Sequence, residues 1–125
     1  MIQATFSYQG DLITSIEVVG HAGSGPYGYD IVCSAVTALV FATVNSMEAL
    51  LAYQPIIDQA DPDEGGYFYA TLEQEALDDK QVQLLFNHLK QGLESIEEQY
   101  GEFIQVNNRA SVSYTHLERA GKADR

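Results

Sequence analysis

Ile2-Gln3-Ala4-Thr5-Phe6-Ser7-Tyr8-Gln9-Gly10-Asp11-Leu12-Ile13-Thr14-Ser15-Ile16-Glu17-Val18 decides the fold. Ile2, Ala4, Phe6 and Tyr8 alternate with polar positions, the two-residue period of a half-buried strand. Gln9-Gly10-Asp11 supplies a turn. Leu12, Thr14, Ile16 and Val18 then repeat the alternation. The segment reads as a β-hairpin. A hairpin at the start of a short chain favours mostly antiparallel pairing.

Gly20 to Tyr29 holds four glycines and Pro26, so it reads as a loop. A loop that long in a small domain tends to carry function or to move over a site. A long helix is expected from about Asp30 to Tyr53, with Asp30 as a favoured N-cap residue. Ile31, Val32, Ala35, Val36, Leu39, Val40, Val44, Met47, Leu50 and Leu51 line most of its circumference. A helix this apolar is central, or is shared with another subunit. A short strand is expected at 56–60, an acidic turn at 61–66 and a strand at 67–72. A second helix, from about Asp79 to Tyr100, carries one apolar stripe: Val82, Leu85, Phe86, Leu89, Leu93, Ile96 and Tyr100. Phe103, Ile104 and Val106 close with a strand. This order predicts an α+β fold, with a mostly antiparallel sheet and two long helices packed on one face. The excess apolar surface of the first helix predicts a dimer.

The 125 residues fit one domain, and 46% hydrophobic content suffices for a core without disulfides. The one cysteine, Cys33, excludes an intramolecular disulfide and any multi-cysteine zinc site. No metal or other cofactor is expected. The apolar run at 31–44 is interrupted by Cys33, Ser34, Thr37 and Thr43, and reads as too short and too polar to span a bilayer. No Lys/Arg-rich start precedes an apolar stretch, so no signal peptide is expected and the reading is a cytoplasmic protein. The net charge is −12. Of six basic residues, four lie beyond residue 108, which leaves Lys80 and Lys90 against sixteen acids in residues 1–108. A nucleic-acid partner would need a basic face to neutralise phosphates, and none can be assembled. The acidity suits solubility or a basic protein partner. Residues 109–125 show no sustained period and read as a disordered or appended tail, outside a domain of residues 1–108.

One stretch concentrates reactive groups. His21 stands at the end of the second strand. Cys33 follows twelve positions later, at the third helical position if Asp30 is the cap. A thiolate there meets free backbone N–H groups and the positive end of the helix dipole. Helix N-termini are a recognised setting for reactive thiols. The loop between them can bring the imidazole to the sulfur, the nucleophile-and-base arrangement of covalent catalysis. Backbone N–H groups of the same turn can face a developing oxyanion. By the residues alone a structural role stays equally open, since free cysteine is among the most buried residue types. Gly23, Ser24, Gly25, Tyr27 and Gly28 read as a substrate-binding loop. Tyr27 and Tyr29 can line a peptide groove or simply shield the core. His88 lies on the flank of the second helix and His116 in the tail.

Gly20-His21-Ala22, a glycine-bearing loop, Gly28-Tyr29-Asp30-Ile31-Val32-Cys33, then Ser34-Ala35-Val36-Thr37 and Val44-Asn45-Ser46-Met47-Glu48 together resemble the bacterial ribosomal-processing cysteine protease (Prp) family. The resemblance covers residues 1–107. It implies a homodimeric cysteine endopeptidase that removes a short N-terminal extension from a large-subunit ribosomal protein precursor. It implies His21 as general base and Cys33 as nucleophile, with Gly20 and Asp30 at positions the family uses around the dyad. Thr37 stands where the family often has serine, which keeps the hydroxyl. Two other classes accommodate the same residues. One is a non-catalytic dimeric module that binds a basic ribosomal protein during ribosome assembly, and the other is a thiol redox sensor. Reactivity of Cys33 toward iodoacetamide separates an activated thiol from a buried structural one.

Overall fold

The computed structural model describes residues 1–20, 28–60 and 66–110. Its elements are β1 (Ile2–Gln9), β2 (Leu12–Val19), α1 (Tyr29–Leu51), β3 (Ile56–Gln59), β4 (Tyr67–Thr71), a short 3-10 turn (Gln74–Ala76), α2 (Lys80–Tyr100) and β5 (Ile104–Ala110). The strands form one mixed sheet in the order β3-β4-β2-β1-β5. The fold is α+β. Three of the four strand pairings are antiparallel and the fourth, β1 with β5, is parallel. The exception follows from α2. This helix of 21 residues is about 30 Å long at 1.5 Å per residue. It returns the chain along the sheet, so β5 starts at the end where β4 started. Strand β4 runs with β1, because each is antiparallel to β2.

Both helices share a single core with one face of the sheet. Ile2, Ala4, Phe6, Ile13, Ile16, Val18, Phe68, Ala70 and Ile104 meet Val32, Val36, Val40 and Met47 of α1 and Val82, Phe86, Leu89 and Leu93 of α2. The hairpin departs from simple alternation. Tyr8 pairs with Ile13 while Ser7 pairs with Ser15, so the register shifts by a bulge at Thr14. Three positions then separate Ile13 from Ile16, yet both are fully buried. The expected face of Leu12, Thr14, Ile16 and Val18 holds at Ile16 and Val18 and is corrected before them: the extra residue switches parity, and Ile13 takes the core position in place of Leu12.

Gln83 interrupts the stripe of α2 with a polar side chain that is 8% exposed. Its Oε1 accepts from the Ile13 N–H at 2.9 Å, and its Nε2 donates to the Ile13 and Leu77 carbonyls, each at 2.9 Å. It ties the Ile13 backbone of β2, and the Leu77 carbonyl, to α2. Gln83→Leu is expected to cost about 3 kcal/mol, since it orphans buried donors and acceptors. Urea denaturation measures this, and a loss under about 0.5 kcal/mol, the range of an ordinary surface change, would contradict it.

Two boundaries differ from the sequence expectation. The N-cap of α1 is Gly28, with φ +99, and α1 begins at Tyr29. Asp30 lies exposed within the first turn and makes no capping hydrogen bond. Strand β5 continues through Arg109 and Ala110, because both pair with β1 opposite Ser7 and Tyr8. Residues 111–125 lie outside the described residues. At α2 the cap is as expected: Asp79 Oδ1 accepts from the Gln81 and Val82 N–H groups. The 23 residues of α1 outrun the apolar run that suggested too short a span. By length and composition the helix could cross a membrane, with a mean hydropathy of 1.5. Its Val32, Val36, Val40, Val44 and Met47 are nevertheless packed into the core.

Candidate active site

One end of the sheet gathers the chemistry. The end of β2, the start of α1, the starts of β1, β4 and β5, and the end of α2 all lie there. Backbone bonds tie them: Gly20 N–H donates to the Gly66 carbonyl at 3.0 Å, and Ile2 N–H to the Phe103 carbonyl at 2.8 Å. Gly20 takes φ +88, and a Cβ at this position would lie 2.5 Å from the Met1 carbonyl oxygen. Only glycine lets β2 turn off the sheet so tightly against β1.

Cys33 is the fifth residue of α1, since Tyr29 is the first and the first helical bond runs from Val32 N–H to the Gly28 carbonyl. The expectation of a third-position thiol is corrected by two residues, because Gly28 rather than Asp30 is the cap. Helical side chains lean toward the N-terminus, so the sulfur still sits over the first turn. Cys33 is 7% exposed and free. Among the described residues no cluster of histidine, cysteine and carboxylates has the makings of a metal site.

Tyr29 stands four residues before Cys33, on the same helix face. It is buried, and its hydroxyl donates to the Gly20 carbonyl. Phe103 holds the ring edge-on, with centroids 6.1 Å apart and planes at 68°. Gly28 lies flush against the same Phe103, where a Cβ would be 3.5 Å from the ring. Burial pushes the Tyr29 phenol above its ordinary range. A hydrogen bond and charge at Cys33, then the Asp30 charge, push the same way. Sequence reasoning left Tyr29 as a groove or shielding residue. Its bond to Gly20 closes across nine positions, and no local pattern signals it.

The other expected site residues distribute as follows. Gly20, Gly28 and Cys33 meet around Tyr29. Thr37, one turn past Cys33, is half-buried and opens onto a small apolar cleft with Val18, Val36, Val40, Phe41 and Phe68. Asp30 faces outward. His88 is exposed on α2. His21, Gly23, Ser24, Gly25 and Tyr27 lie outside the described residues, as does most of the acidic turn.

Tyr53 and Tyr67 share the upward shift of Tyr29, each chiefly through burial; at Tyr53 the Glu73 N–H bond to the phenol opposes it while the Glu73 charge adds to it, and at Tyr67 the charges of Glu17 and Asp58 add to it. The folded chain therefore keeps phenolic protons that the unfolded chain releases above about pH 10. It binds more protons there, so stability falls as pH rises through that range. Below it all three phenols are neutral in both states and their contribution is constant. Urea denaturation between pH 8 and 11 should show a flat stability up to about pH 10 and a decline beyond. Constant stability to pH 11 would contradict the assignment.

Comparison with known proteins gives a consistent result. The family model described as cysteine protease Prp matches residues 1–105. The ribosomal processing cysteine protease Prp of Bacillus subtilis is 39% identical over 110 residues, covering 85% of this chain and 96% of that protein. The crystal structure of SMU.848 from Streptococcus mutans superposes with a TM-score of 0.82 at 38% identity, covering 89% of this chain and 96% of that one. The ribosomal processing protease Prp of Staphylococcus aureus, solved with a covalently linked product peptide, gives 0.75 at 31% identity, covering 86% and 99%.

Proposed function

The chain belongs to the cysteine protease Prp family, and on that premise we propose that it removes a short N-terminal extension from a large-subunit ribosomal protein precursor, with His21 and Cys33 as its dyad. The chain is a cysteine protease. It holds one thiol, so the nucleophile is Cys33. The observation that carries the proposal is that α1, which bears the thiol near its start, is tied through Tyr29 to the carbonyl of Gly20, the residue before His21.

In the reaction, His21 takes the proton of the thiol and the thiolate attacks the scissile carbonyl. The C–S bond forms, and the proton passes from the imidazole to the leaving amine as the C–N bond breaks. Water, deprotonated by the same imidazole, then releases the acid and restores the thiol. No cofactor is needed. The acidic domain suits a basic ribosomal protein segment, and charge complementarity of this kind raises the encounter rate. A chain with no basic stripe favours the free precursor, met in the cytoplasm, over one already seated on RNA.

The active form in this proposal is a homodimer. On α1, Ile31 is 56% exposed, Phe41 39% and Leu50 73%, with Ala38, Ala42 and Ala49 also exposed. Between Asp30 and Glu48 the helix carries no charge. An apolar strip of that length on a soluble domain marks an interface. Sedimentation at micromolar concentration tests it, and a monomer would contradict it. The protease test is incubation with a peptide spanning the precursor's N-terminal junction, followed by mass spectrometry. A single internal cleavage, blocked by prior alkylation of Cys33, is expected. Intact peptide after prolonged incubation with folded protein would overturn the substrate.

A further inference from the structure

We infer that Tyr29 is a positioning residue of this protease: its hydroxyl spans the gap between the strand end that carries the general base and the helix turn that carries the nucleophile, and it sets their separation. The inference rests on the reading in which His21 and Cys33 act together, and it adds a third residue to that pair.

Geometry makes the case. The hydroxyl donates to the Gly20 carbonyl, and the chain passes from Gly20 straight to His21. Holding that carbonyl holds the root of the base. Tyr29 also lies one helical turn from Cys33, in the same buried cluster. One rigid ring therefore joins the residue that precedes His21 to the helix turn that bears Cys33. The ring itself has little freedom. It is 8% exposed, and Phe103 packs on it edge-on. A tyrosine has only two side-chain torsions to fix, so the hydroxyl position follows from the packing of the ring. Gly20 is fixed from the other sides by its bond to Gly66 and by its approach to Met1. The phenol remains protonated through neutral pH, because burial disfavours the phenolate, so the donor is present wherever the enzyme works.

Near-attack geometry is steep in distance. A misplacement of about 1 Å can cost on the order of 100-fold in rate. Tyr29→Phe removes the tether and keeps the packed ring. The expected result is a kcat lowered about 10- to 100-fold, with KM changed less than about twofold. The second readout is iodoacetamide alkylation of Cys33, compared at pH 7 and pH 9 in wild type and variant. The variant should lose rate at pH 7, where thiolate formation depends on the imidazole, and match wild type at pH 9. Tyr29→Met fills the ring's place without a hydroxyl and serves as a second variant if Tyr29→Phe does not fold. Unchanged kcat together with an unchanged alkylation ratio in a folded variant overturns the inference and leaves the protease reading standing. If wild type cleaves no precursor peptide, yet the alkylation ratio falls in the variant, the tether stands and the substrate reading falls.

Discussion

Cys33→Ala should abolish peptide cleavage completely while the protein stays folded. The two effects separate because the side chain is small and the chemistry is unique. Truncating one buried thiol to a methyl removes a single heavy atom from the core, which costs about 1 kcal/mol. No second thiol exists in the chain to replace the nucleophile. Cys33→Ser should behave the same way, because a serine hydroxyl is far less acidic than a thiol and the site supplies activation suited to sulfur. His21→Ala should lose nearly all turnover for want of a base. Turnover of the precursor peptide, with circular dichroism on each variant, makes the comparison. Cleavage by folded Cys33→Ala at the wild-type rate would remove the nucleophile from the mechanism.

Gly20→Ala is the substitution expected to damage both stability and catalysis. Its φ of +88 is a conformation that L-residues adopt at a cost of about 1–3 kcal/mol. The added Cβ would also meet the Met1 carbonyl oxygen at 2.5 Å, and that neighbour is backbone and cannot swing aside. Strand β2 must then move off β1, which withdraws the Gly20 carbonyl from Tyr29 and shifts the root of His21. Gly10→Ala provides the contrast. Gly10 has φ +62 but meets nothing within 4 Å, so it should lose only about 1 kcal/mol and keep full turnover. Denaturation midpoints and cleavage rates of the two variants should diverge. Equal losses would mean that the clash at Gly20 relaxes harmlessly.

The parts of the fold that sequence reading reached are those written in one period. The stripe on α2 holds at Val82, Phe86, Leu89 and Leu93, which face a single partner surface, and fails at its end, where Tyr100 is exposed. In β4 and the residue after it, Phe68, Ala70 and Leu72 are buried while Tyr67, Tyr69 and Thr71 are half-buried, as alternation requires. Reading failed where a second constraint competes. In β2 the alternation through Leu12 and Thr14 breaks at a bulge, and the Ile13 backbone beside it is held by Gln83, seventy positions away. At α1, the favourable capping chemistry of Asp30 pointed two residues too far. The helix instead starts from a glycine in a left-handed conformation, which suits the packing of Phe103 against it. Of the candidate site, the composition offered a single thiol and left its role open. The tether from Tyr29 to Gly20 was not legible, because it exists only once the sheet end has closed.

That closure has a consequence for synthesis. Phe103 caps the Tyr29 ring and receives the Ile2 N–H, and β5 after it pairs with β1 along its length. A chain emerging from the ribosome acquires its thiol at residue 33, seventy residues before it acquires the wall behind that thiol's helix. The first hairpin can form early, but the parallel pairing of β1 with β5 joins segments separated by a hundred residues, the kind of contact that forms late. A nascent chain shorter than residue 103 thus carries the Cys33 thiol without the ring that packs on Tyr29 and Gly28 at the start of its helix.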